Sequence, residues 1–286
     1  MEHLTEAGDD AVGLDAEVDV TDAAALRAAV GAVAPDAIVH LAARAGVGDS
    51  WNHPGEVFQV NATGTLHLIE AARACARPPR VLLVSSAEVY GIVGPADLPL
   101  GEDRPLRPVS PYALSKACAE LIGRQAWLGR GLEVICARPF NHTGAGQTPS
   151  FVVPSLARQI VAAQTSGAES IAVGDLSVRR DLTDVRDIVR AYRLLLIDGL
   201  PGETYNVCRG TSVEIAEVAR RLAALAGVSL PFVVDPARLR PVDVPDLRGD
   251  STRLHRATGW EPVIPLGETL ADLLASLGVA GGGHSP

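Results

Sequence analysis

The sequence predicts an α/β protein built on a doubly wound, parallel sheet. Two observations carry this. Short runs of strand length alternate with longer runs at helical period through the first two thirds of the chain. The short runs are apolar at successive positions instead of alternating, as in strands covered by helices on both faces. The length of 286 residues exceeds the ~100–200 of one ordinary core, so one large or two interlocked domains are expected.

Taken in order, Val12-Gly13-Leu14-Asp15, Asp36-Ala37-Ile38-Val39-His40-Leu41, Arg80-Val81-Leu82-Leu83-Val84-Ser85 and Leu132-Glu133-Val134-Ile135-Cys136 read as buried strands. Residues 22–33, 54–76 and 111–129 between them have helical period. Thr21 followed by Asp22 offers the first helix an N-cap, and Pro111 suits the first turn of the third. After Pro139 the pattern changes. Pro, Gly and Thr cluster through 141–149, a helix is expected over 151–165, and short strands follow at 170–173 and 204–207. Helices at 213–226 and 266–277 then flank a Pro/Arg/Asp-rich stretch at 235–250, and 281–286 reads as a flexible tail. Residues 1–144 with 182–206 form the expected first domain. Residues 145–181 with 207–286 form a smaller, interleaved α/β lobe that closes over a substrate. There is no internal repeat.

Composition narrows the function. A net charge of −9 argues against a partner that is nucleic acid. No apolar run reaches the ~18–20 residues that span a bilayer, and the N-terminus lacks the basic start and apolar stretch of a secretory signal. Cys75, Cys118, Cys136 and Cys208 are widely spaced with no C-x-x-C pair. Neither a metal cage nor a disulfide framework is expected, and reduced thiols suit a cytoplasmic enzyme.

One residue stands out. Of 25 basic residues, Lys116 is the single lysine, and it follows one of only four tyrosines, Tyr112, by four positions. In a chain that uses arginine everywhere else, one lysine marks a site that needs a compact, titratable point charge. Residues four apart share a helix face, so Tyr112 and Lys116 point the same way. Upstream, Val84-Ser85-Ser86-Ala87-Glu88-Val89-Tyr90-Gly91 puts two hydroxyls and a carboxylate at the C-terminal end of a strand, where open α/β sheets bind ligands.

Ser86 with Tyr112-x-x-x-Lys116 resembles the extended short-chain dehydrogenase/reductase family, whose sheet is Rossmann-type. His40-Leu41-Ala42-Ala43, Val60-Asn61-Ala62-Thr63-Gly64-Thr65, Ser110-Pro111-Tyr112 and Arg138-Pro139-Phe140-Asn141-His142 extend the resemblance over nearly the whole chain. Pro139-Phe140-Asn141-His142-Thr143-Gly144, Arg180-Asp181-Leu182-Thr183-Asp184-Val185-Arg186-Asp187 and Arg240-Pro241-Val242-Asp243-Val244 look closest to its GDP-6-deoxy-D-mannose reductase branch. The resemblance implies NAD(P)H-dependent reduction of GDP-4-keto-6-deoxy-D-mannose to a GDP-D-rhamnose-type product. The alternatives are a GDP-mannose 4,6-dehydratase or other nucleotide-sugar epimerase/dehydratase, and a non-catalytic nucleotide-sugar-binding relative.

The resemblance also assigns roles. Tyr112 is the general acid, with a phenol whose free pKa is near ~10. Moving it about three units needs ~4 kcal/mol, which a cation at ~4 Å in an effective dielectric of ~20 supplies; Lys116 is expected to be that cation. Lys116 also holds the nicotinamide ribose, Ser86 donates to the substrate carbonyl, and Asn61 fixes the helix behind the lysine. Glu88 moves a proton in the dehydratases and hydrogen-bonds the sugar in a reductase. Asp15 is placed at the adenosine ribose, favouring NAD over NADP. Asp19 and Val20 lie at the adenine, Leu41, Ala42 and Ala43 along the dinucleotide, and His142 near the nicotinamide. Asn141, Arg180, Arg240 and Asp243 are placed at the substrate diphosphate and ribose. Helices at 54–76 and 111–129 resemble a pair that forms a four-helix homodimer interface.

The family opens with a strand and a Gly-x-x-Gly-x-x-Gly loop, which this sequence lacks; residues 2–9 read like the second half of the helix that follows it. Roughly 20 residues are expected to be missing, leaving two strands ~10 Å apart where a third belongs. Either the start is set too far downstream, or the chain is a degenerate relative.

Overall fold

A computed structural model of the chain describes residues 1–14, 17–239 and 242–279. In chain order its first half holds α1 (Glu2–Glu6), α2 (Ala23–Val33), β1 (Ala37–His40), α3 (Pro54–Phe58), α4 (Gly64–Arg73), β2 (Arg80–Val84), α5 (Pro111–Arg130) and β3 (Val134–Pro139). The second half adds β4 (Asn141–Thr143), α6 (Val152–Ser166), β5 (Ile171–Val173), β6 (Arg179–Asp184), α7 (Val185–Asp198), β7 (Thr204–Val207), β8 (Ser212–Glu214), α8 (Ile215–Leu225), β9 (Phe232–Val234), β10 (Asp246–Leu247), α9 (Thr252–Thr258) and α10 (Leu266–Ser276).

The main sheet is parallel, in the order β1-β2-β3-β7, with Val81 opposite Val134 and Ala137 opposite Tyr205. Its continuous apolar runs are explained by cover on both faces. Val81, Leu83 and Val134 pack with Leu26, Val30, Leu68 and Ile69 of α2 and α4. Leu82, Ile135 and Ala137, one residue out of phase, pack on the opposite face with Ile188, Tyr192, Leu195 and Trp260. Each such buried aliphatic side chain contributes about 1.5–3 kcal/mol. Gly123 lets α5 lie close on the sheet, since a Cβ there would meet Leu83 Cδ1 at 2.3 Å.

A second core joins α6, α8 and α10 through Leu156, Ile160, Val218, Leu222, Leu270 and Leu273. Beside it, β6 pairs with β4 and β10 in parallel and with β8 antiparallel, while β5 pairs with β9.

Four expectations need correction. The three described residues of the 12–15 run form no strand: Val12 and Leu14 are exposed. With no strand beside them among the described residues, their backbone has no ladder to join, and apolar content alone does not make a strand. For the same reason β1 has no partner on its outer edge among the described residues. The helix expected over 54–76 is interrupted by one widened (π) turn at Gln59–Thr63, where the Asn61 side chain ties the segment to the loop after β1. Finally, β4, β6, β8, β9 and β10 and the helices α7 and α9 were not among the expected elements. Among the described residues no helix is long and apolar enough to cross a membrane.

Candidate active site

Ser110 caps α5, its hydroxyl accepting the Ala113 amide at 3.1 Å. Pro111 follows at the first turn, so Tyr112 and Lys116 occupy the first two turns of the helix and face the C-terminal end of β2. Both are buried, and the Lys116 ammonium donates to the Val84 carbonyl at 2.7 Å. Two residues further on, the chain leaves β2 at Ser86, whose hydroxyl accepts the Glu88 amide at 3.2 Å and is hydrogen-bonded to the Tyr112 phenol. Glu88 is half-buried and close enough to the phenol for its charge to be felt there. Ser86, Glu88, Tyr112 and Lys116, separated by up to 30 positions in sequence, thus converge on one end of the sheet.

Asn61 completes the group. Its carbonyl oxygen accepts the Arg44 amide at 2.8 Å, and its amide donates to the Ser115 hydroxyl at 2.9 Å. Ser115 in turn donates to the Tyr112 carbonyl at 2.7 Å. Asn61 therefore fixes the first turn of α5 directly through Ser115, a residue that the sequence reading did not single out.

The electrostatics differ from expectation in one respect. Burial pushes the Tyr112 phenol up, to about 12; the Ser86 hydroxyl opposes the rise and the Glu88 charge adds to it. The ammonium does not pull the phenol down here. Instead burial pulls Lys116 itself down to about 8, opposed by its neighbours Cys136 and Glu120. Taking both groups out of water favours their neutral forms. The phenol remains protonated across the neutral range, which suits a proton donor.

Other predicted residues are distributed around this centre. Leu41 and Ala42 form an exposed shelf where β1 ends, with Ala43 half-buried behind them. Val20 packs against Gly64 of α4, where a Cβ would meet Val20 Cγ2 at 2.8 Å, and exposed Asp19 accepts the Thr21 amide at 2.8 Å. His142 is half-buried on β4, its Nδ1 paired with the Phe140 carbonyl at 3.0 Å, and loss of solvent holds its pKa below the usual value. Asn141 keeps a buried side-chain oxygen that has no hydrogen-bond partner. Arg180 is buried, donating to the Val244 carbonyl at 2.7 Å and to the Asp243 carboxylate. It holds the 243–244 segment instead of presenting an open guanidinium. Asp15 and Arg240 lie outside the described residues. A groove of about 860 Å³ beside the start of β7, lined by Glu102, Arg253 and Arg256, contains none of these residues.

The same architecture occurs in solved proteins. One from Pseudomonas aeruginosa, RMD, complexed with NADPH, superposes with a TM-score of 0.87 at 37% identity, covering 96% of this chain and 94% of that one. The UDP-glucose 4-epimerase of Thermus thermophilus in complex with NAD superposes with a TM-score of 0.86 at 28% identity, over 98% and 94% of the two chains. The fold and the site together define a Rossmann-type short-chain dehydrogenase/reductase, a class of NAD(P)-dependent oxidoreductases. Residues 3–273 match the family model described as GDP-mannose 4,6 dehydratase, and the chain belongs to that family. It is 42% identical over 242 residues to the GDP-6-deoxy-D-mannose reductase of Pseudomonas aeruginosa, spanning 84% of this chain and 80% of the relative.

Proposed function

We propose that the chain reduces GDP-4-keto-6-deoxy-D-mannose to a GDP-D-rhamnose-type product, using a reduced nicotinamide cofactor. The observation that carries the reading is the convergence of Ser86, Tyr112 and Lys116 at the end of β2. The 42% identity to a GDP-6-deoxy-D-mannose reductase supports this substrate class.

The residues present fit the cofactor. Leu41 and Ala42 provide an exposed shelf at the end of a parallel strand, where such ligands lie. Asp19, Val20, Leu41, Ala42, Ala43, Asn61 and His142 would hold it together with Tyr112 and Lys116. When bound, the nicotinamide supplies the hydride. The protein's own work is proton delivery: Tyr112, protonated at neutral pH, gives its proton to the carbonyl oxygen as negative charge develops there. Ser86 donates to the same oxygen, and Lys116 stabilises the phenolate that remains. Asn141, Arg180, Arg240 and Asp243 are assigned to the nucleotide side, with Arg180 acting through Asp243 and the backbone of 244. A carboxylate at Asp15 disfavours a ribose phosphate, so NADH is the preferred donor. Phe58 and Leu66 on α3 and α4, with Leu114, Leu121 and Leu128 on α5, leave an exposed apolar face that suits a four-helix homodimer.

Glu88 beside the phenol favours a second reading, a 4,6-dehydratase in which it moves the sugar proton. Mixing the protein with GDP-4-keto-6-deoxymannose and NADH separates the two. A reductase consumes NADH in step with product; a dehydratase leaves NADH untouched and instead converts GDP-mannose without net reductant.

A further inference from the structure

Glu120 and Arg138 take no part in the proton path described above, yet they form the most deeply buried ion pair near it. The Arg138 guanidinium donates to both Glu120 oxygens, at 2.9 and 2.7 Å, with the two side chains only 6% and 8% exposed. A bidentate pair of this kind fixes orientation as well as charge. Glu120 lies one turn beyond Lys116 on the same face of α5, and it also receives the hydroxyl of Ser85. Two consecutive residues at the end of β2 are therefore clasped by two consecutive turns of α5: the Val84 carbonyl by Lys116, and the Ser85 hydroxyl by Glu120. The next residue is Ser86. Arg138 brings in β3, and its second arm donates to the Tyr90 hydroxyl and the Glu102 carbonyl; Tyr90 then donates to Asn206 on β7.

We infer that Glu120, clamped by Arg138 and Ser85, is a positioning residue for the proton donor: it locks α5 to the ends of β2 and β3 and supplies the carboxylate that keeps Lys116 an ammonium. The inference rests on the reductase reading, because it assigns Glu120 to the step that Tyr112 and Lys116 perform. The groups facing Lys116 leave this role to Glu120. His40 of β1 is held neutral, with its pKa pulled down to about 3 by burial, and the Cys136 thiol of β3 is held neutral by burial well above its usual range. Tyr112 is neutral as well. Glu120 is then the one anion facing Lys116 among these groups, and Arg138 is its counter-charge.

Lys116 is the only lysine in the chain, so a protein labelled with carbon-13 lysine gives one side-chain resonance, and its titration reads that amine directly. In Glu120→Gln the guanidinium of Arg138 stays unneutralised. The lysine midpoint should fall by about one pH unit, and the alkaline limb of kcat should move down with it, while KM for the nucleotide sugar stays unchanged. Glu120→Asp, which keeps the charge, should restore the midpoint. Ser85→Ala, which keeps both charges, should leave the midpoint in place and lower kcat by roughly 10-fold through misplacement of Ser86; this variant decides the matter if Glu120→Gln does not fold. An unmoved lysine midpoint in Glu120→Gln, or full kcat in Ser85→Ala, overturns the inference. A wild-type protein that consumes no NADH with the keto sugar overturns the reductase reading instead, and the lysine titrations still stand.

Discussion

At the residue scale, the site depends on where burial leaves each proton. Lys116 has its pKa pulled down to about 8, so its charge is present below that value and lost as pH rises through it. The rate of keto-sugar reduction should therefore fall on an alkaline limb near pH 8, while Tyr112, pushed up to about 12, adds no limb below it. A pH–rate profile flat to pH 10, a value close to that of a solvated lysine, would contradict this. His40 carries the opposite lesson for stability. Its buried ring, paired with the Thr65 hydroxyl at 3.0 Å, has its pKa pulled down to about 3 by burial. The unfolded state therefore binds the extra proton first, and the contribution of His40 is lost as pH falls from about 6.5. Asp181 works the other way, with burial raising its pKa to about 6, so a simple acid melt mixes the two. The clean observable is a difference: the melting temperature of His40→Gln relative to wild type should climb steadily between pH 7 and pH 4, by an amount corresponding to a few kcal/mol. A difference that does not change with pH removes His40 from the account. Much of this site was legible in the sequence, because a single lysine four residues after a tyrosine is a strong local signal. The direction of the tyrosine shift was not legible. It depends on how much water the fold removes from both groups, which spacing does not encode.

At the element scale, α5 is the part on which the chemistry stands. Its N-terminal half is held by the Ser110 cap, the Asn61–Ser115 bond and the Ser85–Glu120 bond. Ser110→Ala should cost about 1 kcal/mol of stability, read as a lower denaturant midpoint, with a larger proportional loss of kcat than a cap at a remote helix would give. Equal losses from Ser110→Ala and from uncapping α2 at Asp22 would show that the α5 cap has no special bearing on Tyr112. Elements that the sequence reading found were those with apolar periodicity, such as β2, β3 and α5. Those it missed have other sources of stability. Asn141-His142-Thr143 and Arg179–Asp184 are short and polar, yet they are ordered by ladder pairing and by buried partners such as Arg180 with Asp243. In α7, Ile188, Ala191, Tyr192 and Leu195 make a clear buried stripe, but Arg186 and Asp187 at its start read as part of the motif that begins at Arg180. The π turn at Gln59–Thr63 leaves no periodic trace, because it serves the tertiary bonds of one residue, Asn61, to Arg44 and Ser115.

At the scale of the whole molecule, one sheet covered on both faces is joined to a second core, and the candidate residues collect where strands of the main sheet end. One face of α5 is apolar and exposed. Leu114, Leu121 and Leu128 repeat every seven residues, with Leu121 58% and Leu128 71% exposed. Such a stripe suits a helix packed against a partner. Sedimentation at micromolar concentration should give a dimer for the wild type and a monomer for Leu121→Arg, with the melting temperature lowered in the variant. A wild type that sediments as a monomer rules out that interface.

Whether this chain transfers a proton from Tyr112 is settled most directly by single-turnover oxidation of NADH with GDP-4-keto-6-deoxy-D-mannose, comparing wild type with Tyr112→Phe. Loss of the hydroxyl should slow the step by on the order of 10³-fold, with keto-sugar binding retained, because Ser86 and Lys116 remain in place. A Tyr112→Phe protein that turns over within a few-fold of wild type would mean the proton comes from elsewhere, and the assignment built on Ser86, Tyr112 and Lys116 would be wrong.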